Sequence, residues 1–258
     1  MIDIKALEVR TNEGKRLVQP FDFYLKKREI VGVFGESGSG KTISTQAMFN
    51  LLPRSLVSHA TLKMVEDKNI DDLKPSDYRK LIGLDVGYIP QNTTEFLHPL
   101  VKIKHQMLEG FVTHQCGTKR EGLERATELL ELVGLKNPKK ILNGYVFELS
   151  GGMRQRVNIA LSLMTKPRII ILDEPTTALD SITEHEIMEF FKKLNQEEGV
   201  SLILITHNMK LIEKYTDRAY VFYKGKMVET NDTKTLFKHP THPHTKALVQ
   251  VTREEGVR

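Results

Sequence analysis

Gly35-Glu36-Ser37-Gly38-Ser39-Gly40-Lys41-Thr42 is the most informative segment of this chain for predicting its architecture. It matches the phosphate-binding loop pattern in full, and it follows an apolar run and opens a helical pattern, as that loop requires. The glycines let backbone N–H groups turn inward onto the β- and γ-phosphates of a nucleotide, helped by the positive end of the helix. Lys41 can reach the terminal phosphates, and the Thr42 hydroxyl can ligate Mg²⁺. The stretch therefore predicts a nucleotide site at a strand-to-helix turn.

The composition excludes several classes of protein. With 40% hydrophobic and 28% charged residues, the 258-residue chain is neither disordered nor collagen-like. Its single cysteine, Cys116, rules out an intrachain disulfide and a four-cysteine metal site. No apolar run approaches the roughly 18 residues of a spanning helix, and the N-terminus lacks a signal-peptide core. The net charge of +5 comes without an interleaved arginine and aromatic stripe, so we expect no direct nucleic-acid partner.

Short strand patterns alternate with helical ones along the chain. Residues 2–7 and 21–25 alternate apolar with polar side chains and predict an antiparallel pair. Four apolar runs predict buried strands: residues 30–34, 86–89, 169–172 and 202–205. A helix is expected from about Thr42 to Leu52, stopped by Pro53. Such alternation predicts an α/β fold with a mostly parallel sheet.

The middle of the chain, about 98–160, reads as helical. Thr118 and Glu121 fit a capping box at the start of one helix, and Gly134 fits its end. Between them an apolar stripe at helical spacing predicts a buried face, made of Leu123, Ala126, Leu129, Leu130 and Val133.

Two carboxylates follow the apolar run 169–172. Asp173 would hold Mg²⁺ directly or through water, as the acidic strand of phosphate-loop nucleotidases does. Glu174 is placed to accept a proton from an attacking water.

A second glycine-rich turn, Leu149-Ser150-Gly151-Gly152-Met153, precedes the acidic strand, and His207 follows Asp173 by 34 residues. In this order the motifs resemble the nucleotide-binding subunit of an ABC transporter over nearly the whole chain. The resemblance implies an α/β phosphate-loop ATPase with an N-terminal antiparallel β subdomain and a helical subdomain. It implies one domain: a core at about 1–97 and 161–235, a helical subdomain at about 98–160, and a tail at about 236–258.

The resemblance also implies roles for individual residues. ATP and Mg²⁺ would be the cofactors, with Thr42, Gln91 and Asp173 at the metal and Lys41, Glu174 and His207 in catalysis. The implied ATP-binding set is Gly35, Glu36, Ser37, Gly38, Ser39, Gly40, Lys41, Thr42 and Gln91. In the family, the signature residues contact the γ-phosphate held by a second subunit; here they match Leu149, Ser150, Gly151, Gly152 and Met153. Ala178, Leu179 and Asp180 match the D-loop at the same interface.

Finer features resemble the ATPases of oligopeptide, dipeptide and nickel importers. These features are the signature region, with Met153 as in D-type members, and the tail 239–248. The resemblance implies that this chain forms a heterodimer with a second ABC ATPase subunit, a paralogue of the F type. It also implies two membrane permease subunits and an extracytoplasmic substrate-binding protein as partners. It places the chain peripherally on the cytoplasmic face of the membrane. Peptide import is our preferred interpretation, with nickel or metal-chelate import as the alternative.

Three departures from the family pattern stand out. No aromatic residue lies between Leu7 and Gly14 to stack on adenine; Val9 aligns near that place, and Arg10 could stack instead. The tail lacks the cysteine cluster of longer relatives, so we expect no iron–sulfur site. Asn208 follows the histidine where aspartate is common.

Other interpretations remain open at this stage. One is an ABC ATPase that acts on DNA or ribosomes, although the chain has no long coiled-coil insertion or zinc module. Another is a catalytically silent regulatory subunit, which the missing adenine aromatic would fit. Metal binding by the histidines at 239, 242 and 244 is a further option, since imidazole binds Ni²⁺ and Zn²⁺.

Overall fold

The computed structural model describes residues 1–91, 96–176 and 180–255. They form two compact units: one joins residues 1–75 to the described residues from 201 onward, and the other comprises the described residues between 76 and 200. The chain therefore leaves the first unit and later returns to it. Within the described ranges, no helix is both long enough and apolar enough to cross a membrane.

Strands and helices alternate as the sequence predicts. The strands are β1 (Ile2–Thr11), β2 (Arg16–Leu25), β3 (Ile30–Gly35), β4 (Leu56–His59), β5 (Leu62–Val65), β6 (Lys68–Asn69), β7 (Val86–Ile89), β8 (Ile169–Asp173), β9 (Ser201–Thr206), β10 (Arg218–Tyr223) and β11 (Lys226–Asp232). The helices are α1 (Lys41–Met48), α2 (Pro75–Lys80), α3 (Ile103–Thr113), α4 (Lys119–Leu132), α5 (Pro138–Asn143), α6 (Gly151–Ser162), α7 (Ser181–Glu198), α8 (Met209–Tyr215), α9 (Thr233–Lys238) and α10 (Pro243–Glu255).

The first unit holds an antiparallel sheet and a mostly parallel group of strands. In the antiparallel sheet the order is β2-β1-β5-β6, with β4 also paired to β1, so the predicted N-terminal pair is confirmed. In the other group β3 lies between β9 and β10 and runs parallel to both, while β11 pairs antiparallel with β10. Every residue of β3 and β9 is buried. The chain therefore enters the phosphate loop from a fully buried strand.

Helix α1 ends earlier than the sequence predicts. The expected helix ran to Leu52, but the last helical residue is Met48. Asn50 adopts a left-handed backbone with φ of +55°, and the N–H of Leu51 returns to the carbonyl of Gln46. A left-handed residue directly after a helix is a common way to stop it. Pro53 is therefore not what ends α1.

A buried lysine holds this helix end. Lys63 on β5 is 2% exposed, and its Nζ donates hydrogen bonds to Asn50 Oδ1 (2.6 Å), Ser58 Oγ (3.1 Å) and Asp71 Oδ1 (3.4 Å). Burial lowers the pKa of Lys63, and the nearby Asp71 carboxylate works in the opposite direction. One ammonium group thus ties the end of the phosphate-loop helix to the antiparallel sheet.

The second unit contains a parallel strand pair and most of the helices. Strands β7 and β8 run parallel, with Val86 opposite Ile169 and Ile89 opposite Leu172. A π-helical turn, Leu81–Asp85, leads into β7. Helices α3 to α6 lie between the two strands in sequence, so the predicted helical middle is confirmed.

Helix α4 confirms its predicted capping box but not its whole predicted face. Thr118 caps the helix, and the Glu121 side chain bonds back to the Thr118 N–H. Ala126, Leu129, Leu130 and Val133 are buried, whereas Leu123 is 37% exposed. The reason lies one residue earlier, because a Cβ at Gly122 would meet Leu108 and Phe111 of α3. The close approach of α3 thus falls on Gly122 and turns Leu123 toward solvent.

We expect Lys63→Met to lower the free energy of unfolding by about 1–3 kcal/mol, because Asn50, Ser58 and Asp71 lose their shared hydrogen-bond donor. Urea denaturation followed by circular dichroism measures the change. The matched control is Lys68→Met on β6, where the lysine is exposed and the effect should stay within about 0.5 kcal/mol. Equal losses in both variants would contradict the anchoring role of Lys63.

Candidate nucleotide-binding site

The phosphate loop joins β3 to α1 within the first unit. Gly35 has a φ of +148°, and a Cβ there would collide with the carbonyl oxygen of Phe222 on β10. Lys41 is 7% exposed, and its Nζ donates to the carbonyl oxygens of Gly35 (2.8 Å) and Glu36 (2.9 Å). The loop therefore wraps around its own lysine, as expected for a site that receives phosphates.

Ser39 supplies a test of whether a phosphate suits this loop. Its side chain is 4% exposed, and its hydroxyl oxygen finds no hydrogen-bond partner among the described residues. Buried polar groups are nearly always satisfied, so an orphaned hydroxyl calls for a ligand or water. A phosphate oxygen would accept its hydrogen bond.

His207 emerges near the loop in the first unit. It directly follows β9, which pairs in parallel with β3 so that Phe34 lies opposite Thr206. Because parallel strands end at the same edge, the exposed His207 leaves the sheet on the loop's side. The next residue, Asn208, caps α8 through a hydrogen bond from the Lys210 N–H to its Oδ1 (3.1 Å). The departure at position 208 thus has a structural role as a helix cap.

The acidic pair belongs to the second unit. Asp173 ends β8 and is 1% exposed, and Tyr88 on β7 donates its hydroxyl to Asp173 Oδ2 (2.8 Å). Glu174 is 8% exposed and has a left-handed backbone with φ of +49°. That conformation is uncommon for a residue with a long side chain and is typical of constrained functional positions.

Two residues around this acidic pair were missed by sequence reasoning. Tyr88 orients Asp173, and Gln155 on α6 donates its Nε2 to the carbonyl oxygen of Pro175 (2.5 Å). Tyr88 could have been found from the sequence, because it places a hydroxyl on an otherwise apolar strand that was expected to lie near the acidic strand. No sequence signal pointed to Gln155.

Gln91 and the residues after it are only partly described. Gln91 is exposed and follows β7, so it lies at the end of the strand pair where Asp173 also lies. The family resemblance implies that the membrane subunits dock on residues 92–100, of which residues 92–95 fall outside the described ranges. The described part of this segment exposes Phe96 (55%) and Leu100 (77%), while Leu97 is buried.

The signature turn starts α6 in the second unit. Ser150 is the N-cap, and its Oγ accepts a hydrogen bond from the Met153 N–H (3.3 Å). Gly151 and Gly152 form the first turn, and Leu149 is buried. A cavity of about 560 Å³ opens here, lined by Ser150, Gly152, Met153, Arg156, Asp180 and Thr183, among others.

The D-loop prediction is only partly within the described residues. Ala178 and Leu179 lie outside them. Asp180 caps α7, because its Oδ1 accepts hydrogen bonds from the N–H groups of Ile182 (3.1 Å) and Thr183 (3.0 Å). The hydrogen bonds from Thr183 lower the pKa of Asp180. This carboxylate thus stays ionised and fixes the start of the helix.

The two positions expected near the adenine base, Val9 and Arg10, differ in their exposure to solvent. Val9 is fully buried, with neighbours on β2 and β4, so it offers no stacking surface. Arg10 is partly exposed, and its Nε donates to Glu8 Oε1 (2.8 Å). Glu8 also pairs with Arg16 (2.8 Å). Of the two, only Arg10 presents a face that could meet a base.

The tail histidines are not arranged as a metal centre. Across the described part of the chain, no group of three or more histidine, cysteine or acidic side chains is placed to hold a metal ion. His242 Nδ1 accepts a hydrogen bond from the His244 N–H (3.2 Å), and His239 is exposed.

Known proteins match this chain along most of its length. A dipeptide transport ATP-binding protein, DppD of Haemophilus influenzae, is 37% identical over 97% of this chain and 77% of its own length. An oligopeptide transport ATP-binding protein, AppD of Bacillus subtilis, is 37% identical over 96% and 76%. The dimeric structure of MJ0796, a bacterial ABC transporter cassette, superposes with a TM-score of 0.79 at 26% identity, covering 90% of this chain and 99% of that one.

The same cassette has also been solved as a post-hydrolysis dimer bound to ADP and phosphate, and it superposes with a TM-score of 0.78. A family model described as ABC transporter matches residues 18–177, which include the phosphate loop, the signature turn and the acidic strand. The fold and the resemblance inferred from the motifs are therefore confirmed: the chain belongs to the ABC transporter family, as one of its ATP-binding cassettes.

Proposed function

We propose that this chain binds and hydrolyses ATP to drive the import of dipeptides or oligopeptides through separate membrane subunits. One observation carries the proposal: a complete phosphate loop occurs in a chain that, along nearly its whole length, is similar to dipeptide and oligopeptide transport ATP-binding proteins. Peptide uptake is what distinguishes this proposal from the nickel alternative.

ATP would place its phosphates on the loop between β3 and α1. Backbone N–H groups at the start of α1 point toward the anion, and the Ser39 hydroxyl gains an acceptor. Lys41 would exchange the carbonyl oxygens of Gly35 and Glu36 for charged phosphate oxygens, which form stronger hydrogen bonds.

Thr42, Asp173 and Gln91 carry the oxygen ligands that Mg²⁺ prefers. A Mg²⁺ ion held by these residues would supply positive charge that offsets the charge of the phosphates during the attack. Tyr88 keeps one Asp173 oxygen in place through its hydroxyl. Each of these three side chains therefore offers an oxygen of the kind that Mg²⁺ takes as a ligand.

Hydrolysis needs a group that takes a proton from water. In this proposal Glu174 accepts the proton from the attacking water at its carboxylate as the water attacks the γ-phosphorus. Lys41 and His207 offset the negative charge on the transferring phosphoryl group. The products are ADP and inorganic phosphate.

The signature turn would serve a second ATPase subunit. Ser150, at the N-terminus of α6, and the 560 Å³ cavity beside it offer N–H and hydroxyl donors suited to a γ-phosphate. We propose a heterodimer with an F-type paralogue, in which each chain contributes its signature to the other's ATP.

Membrane permeases would dock after Gln91. Phe96 and Leu100 expose apolar surface there, as a docking face for a short helix requires. We propose that two such permeases hold the chain at the cytoplasmic face, and that an extracytoplasmic binding protein delivers the peptide.

We expect Glu174→Gln to retain ATP binding and to lower ATP turnover by at least about 100-fold, because the amide cannot accept the proton. Steady-state phosphate release by the assembled complex measures turnover, and equilibrium dialysis measures binding. The control is Glu197→Gln, on the exposed face of α7, which should hydrolyse ATP at the wild-type rate. Unchanged turnover in Glu174→Gln would remove Glu174 from this role.

Tyr88→Phe should raise the Mg²⁺ concentration for half-maximal ATPase activity by about tenfold, because Asp173 loses a donor that orients it. Titration of Mg²⁺ at saturating ATP measures the shift. Tyr24→Phe, at a half-exposed tyrosine on β2, is the matched control. If both variants follow the wild-type curve, Tyr88 does not act on the metal site.

Uptake measurements in cells that lack this subunit show which substrate is imported. Labelled dipeptides, labelled oligopeptides and radioactive nickel are supplied after the wild type or Lys41→Ala is put back. We expect peptide uptake to return with the wild type only, because Lys41→Ala removes the charge that holds the phosphates. Nickel uptake in its place would contradict peptide import and leave the ATPase mechanism intact.

A further inference from the structure

The C-terminal part of the first unit packs against the phosphate loop. His244, in the first turn of α10, stacks on the ring of Tyr223 with centroids 4.0 Å apart and an interplanar angle of 29°. Its Nδ1 lies 4.0 Å from Oε1 of Glu36, the second residue of the loop. The side chain of His244 is 10% exposed, whereas that of Glu36 is 60% exposed. A nearly buried imidazole thus faces the outer side of the loop.

The turn that follows Tyr223, the ring on which His244 stacks, is hydrogen-bonded to the same loop. Tyr223 ends β10, and two residues later the N–H of Gly225 donates to the carbonyl oxygen of Ser39 (3.0 Å). Gly225 has a φ of +75°, and a Cβ there would collide with the carbonyl oxygen of Leu17. The turn 223–226 therefore lies between β2 and the phosphate loop, and it carries Tyr223 with it.

The segment that carries His244 is also firmly held. Glu229 on β11 accepts hydrogen bonds from the Thr241 N–H and hydroxyl (both 2.8 Å) and from the His242 N–H (2.9 Å). Further along α10, Arg253 donates to the carbonyl oxygen of Phe237 (2.8 Å). Anchored on both sides, the imidazole has little freedom to leave the loop.

Charged and titratable groups face His244 from each neighbouring element. Glu36 faces it from the loop, Lys224 from the turn and His242 from its own segment, while Glu229 on β11 holds that segment. Burial lowers the pKa of His244, Glu36 opposes that shift, and His242 and Lys224 add to it. Its Nε2 has no hydrogen-bond partner within the described residues. The imidazole is therefore mostly neutral near pH 7.

We propose that His244 is a positioning residue for the phosphate loop, which packs on Tyr223 of the turn 223–226 beside Glu36 and, through its charge, tunes the affinity for ATP. The proposal rests on the proposed function only in taking ATP as the ligand. With a neutral imidazole, the Glu36 carboxylate adds negative charge where a polyanion must bind. With a protonated imidazole, that charge is offset, so lower pH favours ATP binding through this group.

Proton linkage fixes the direction in which pH changes the affinity for ATP. ATP adds negative charge beside the loop and favours the protonated form, so the pKa of His244 rises when ATP binds. A group that binds a proton more tightly in the complex strengthens binding as pH falls toward the lowered pKa of the free protein. At the separation of a side chain and a phosphate near the protein surface, the Coulomb interaction corresponds to about a fivefold change in affinity.

The test compares His244→Phe with His239→Phe. Phenylalanine at 244 keeps the ring stacked on Tyr223 and removes the titration, while His239 is an exposed histidine nearby in the same tail. Equilibrium dialysis with radiolabelled ATP and Mg²⁺ gives Kd between pH 5.5 and 8 for the full chain. We expect the ratio of the His244→Phe Kd to the wild-type Kd to rise by up to about fivefold from pH 7.5 to pH 5.5. His239→Phe should give a flat ratio, because the titration of ATP itself cancels.

Other outcomes separate the two proposals. A flat ratio for His244→Phe, with ATP binding that Lys41→Ala abolishes, overturns the role of His244 and leaves the proposed function standing. Absence of ATP binding by the wild type at every pH overturns the proposed function itself. If His244→Phe does not fold, His244→Gln keeps a neutral polar side chain and must show the same rise in the Kd ratio.

Discussion

At the end of β3, the backbone of Gly35 passes so close to the carbonyl oxygen of Phe222 on β10 that no side chain fits between them. This contact lets a fully buried strand end tightly and release the chain into the phosphate loop. Lys41 then returns to the carbonyl oxygens of Gly35 and Glu36, and His207 leaves the adjacent β9 at the same edge. Lys41 and His207, the two side chains of the first unit that would contact phosphates, therefore both lie at the sheet edge where β3 ends.

Several residues with a functional assignment in the family also determine local structure. Ser150 caps α6 and Asp180 caps α7, and both do so by accepting hydrogen bonds from backbone N–H groups. Asn208, beside His207, does the same for α8. Loss of activity after substitution at these positions therefore combines lost chemistry with a disturbed helix start. Variants of residues that do not cap a helix, such as Glu174, separate the two effects more cleanly.

The sequence was sufficient wherever local pattern governs structure, and insufficient where distant residues decide. The apolar runs predicted β3, β7, β8 and β9, and the capping box predicted the start of α4. The early end of α1 falls at Asn50, and the Lys63 side chain that bonds to Asn50 comes from β5. Leu123 is exposed because α3 approaches at Gly122, and no periodicity contains that contact. The contact of His244 with Glu36 joins residues 208 positions apart, and sequence spacing says nothing about it.

Hydrogen–deuterium exchange with and without ATP and Mg²⁺ shows whether the phosphate loop binds ATP through its own N–H groups, because bound N–H groups exchange more slowly. We expect exchange to slow across residues 36–42 and the first turn of α1 and to stay unchanged in α4. Lys41→Ala should show no such protection. Unchanged exchange in the loop of the wild-type protein at saturating ATP would mean that this loop does not bind the phosphates.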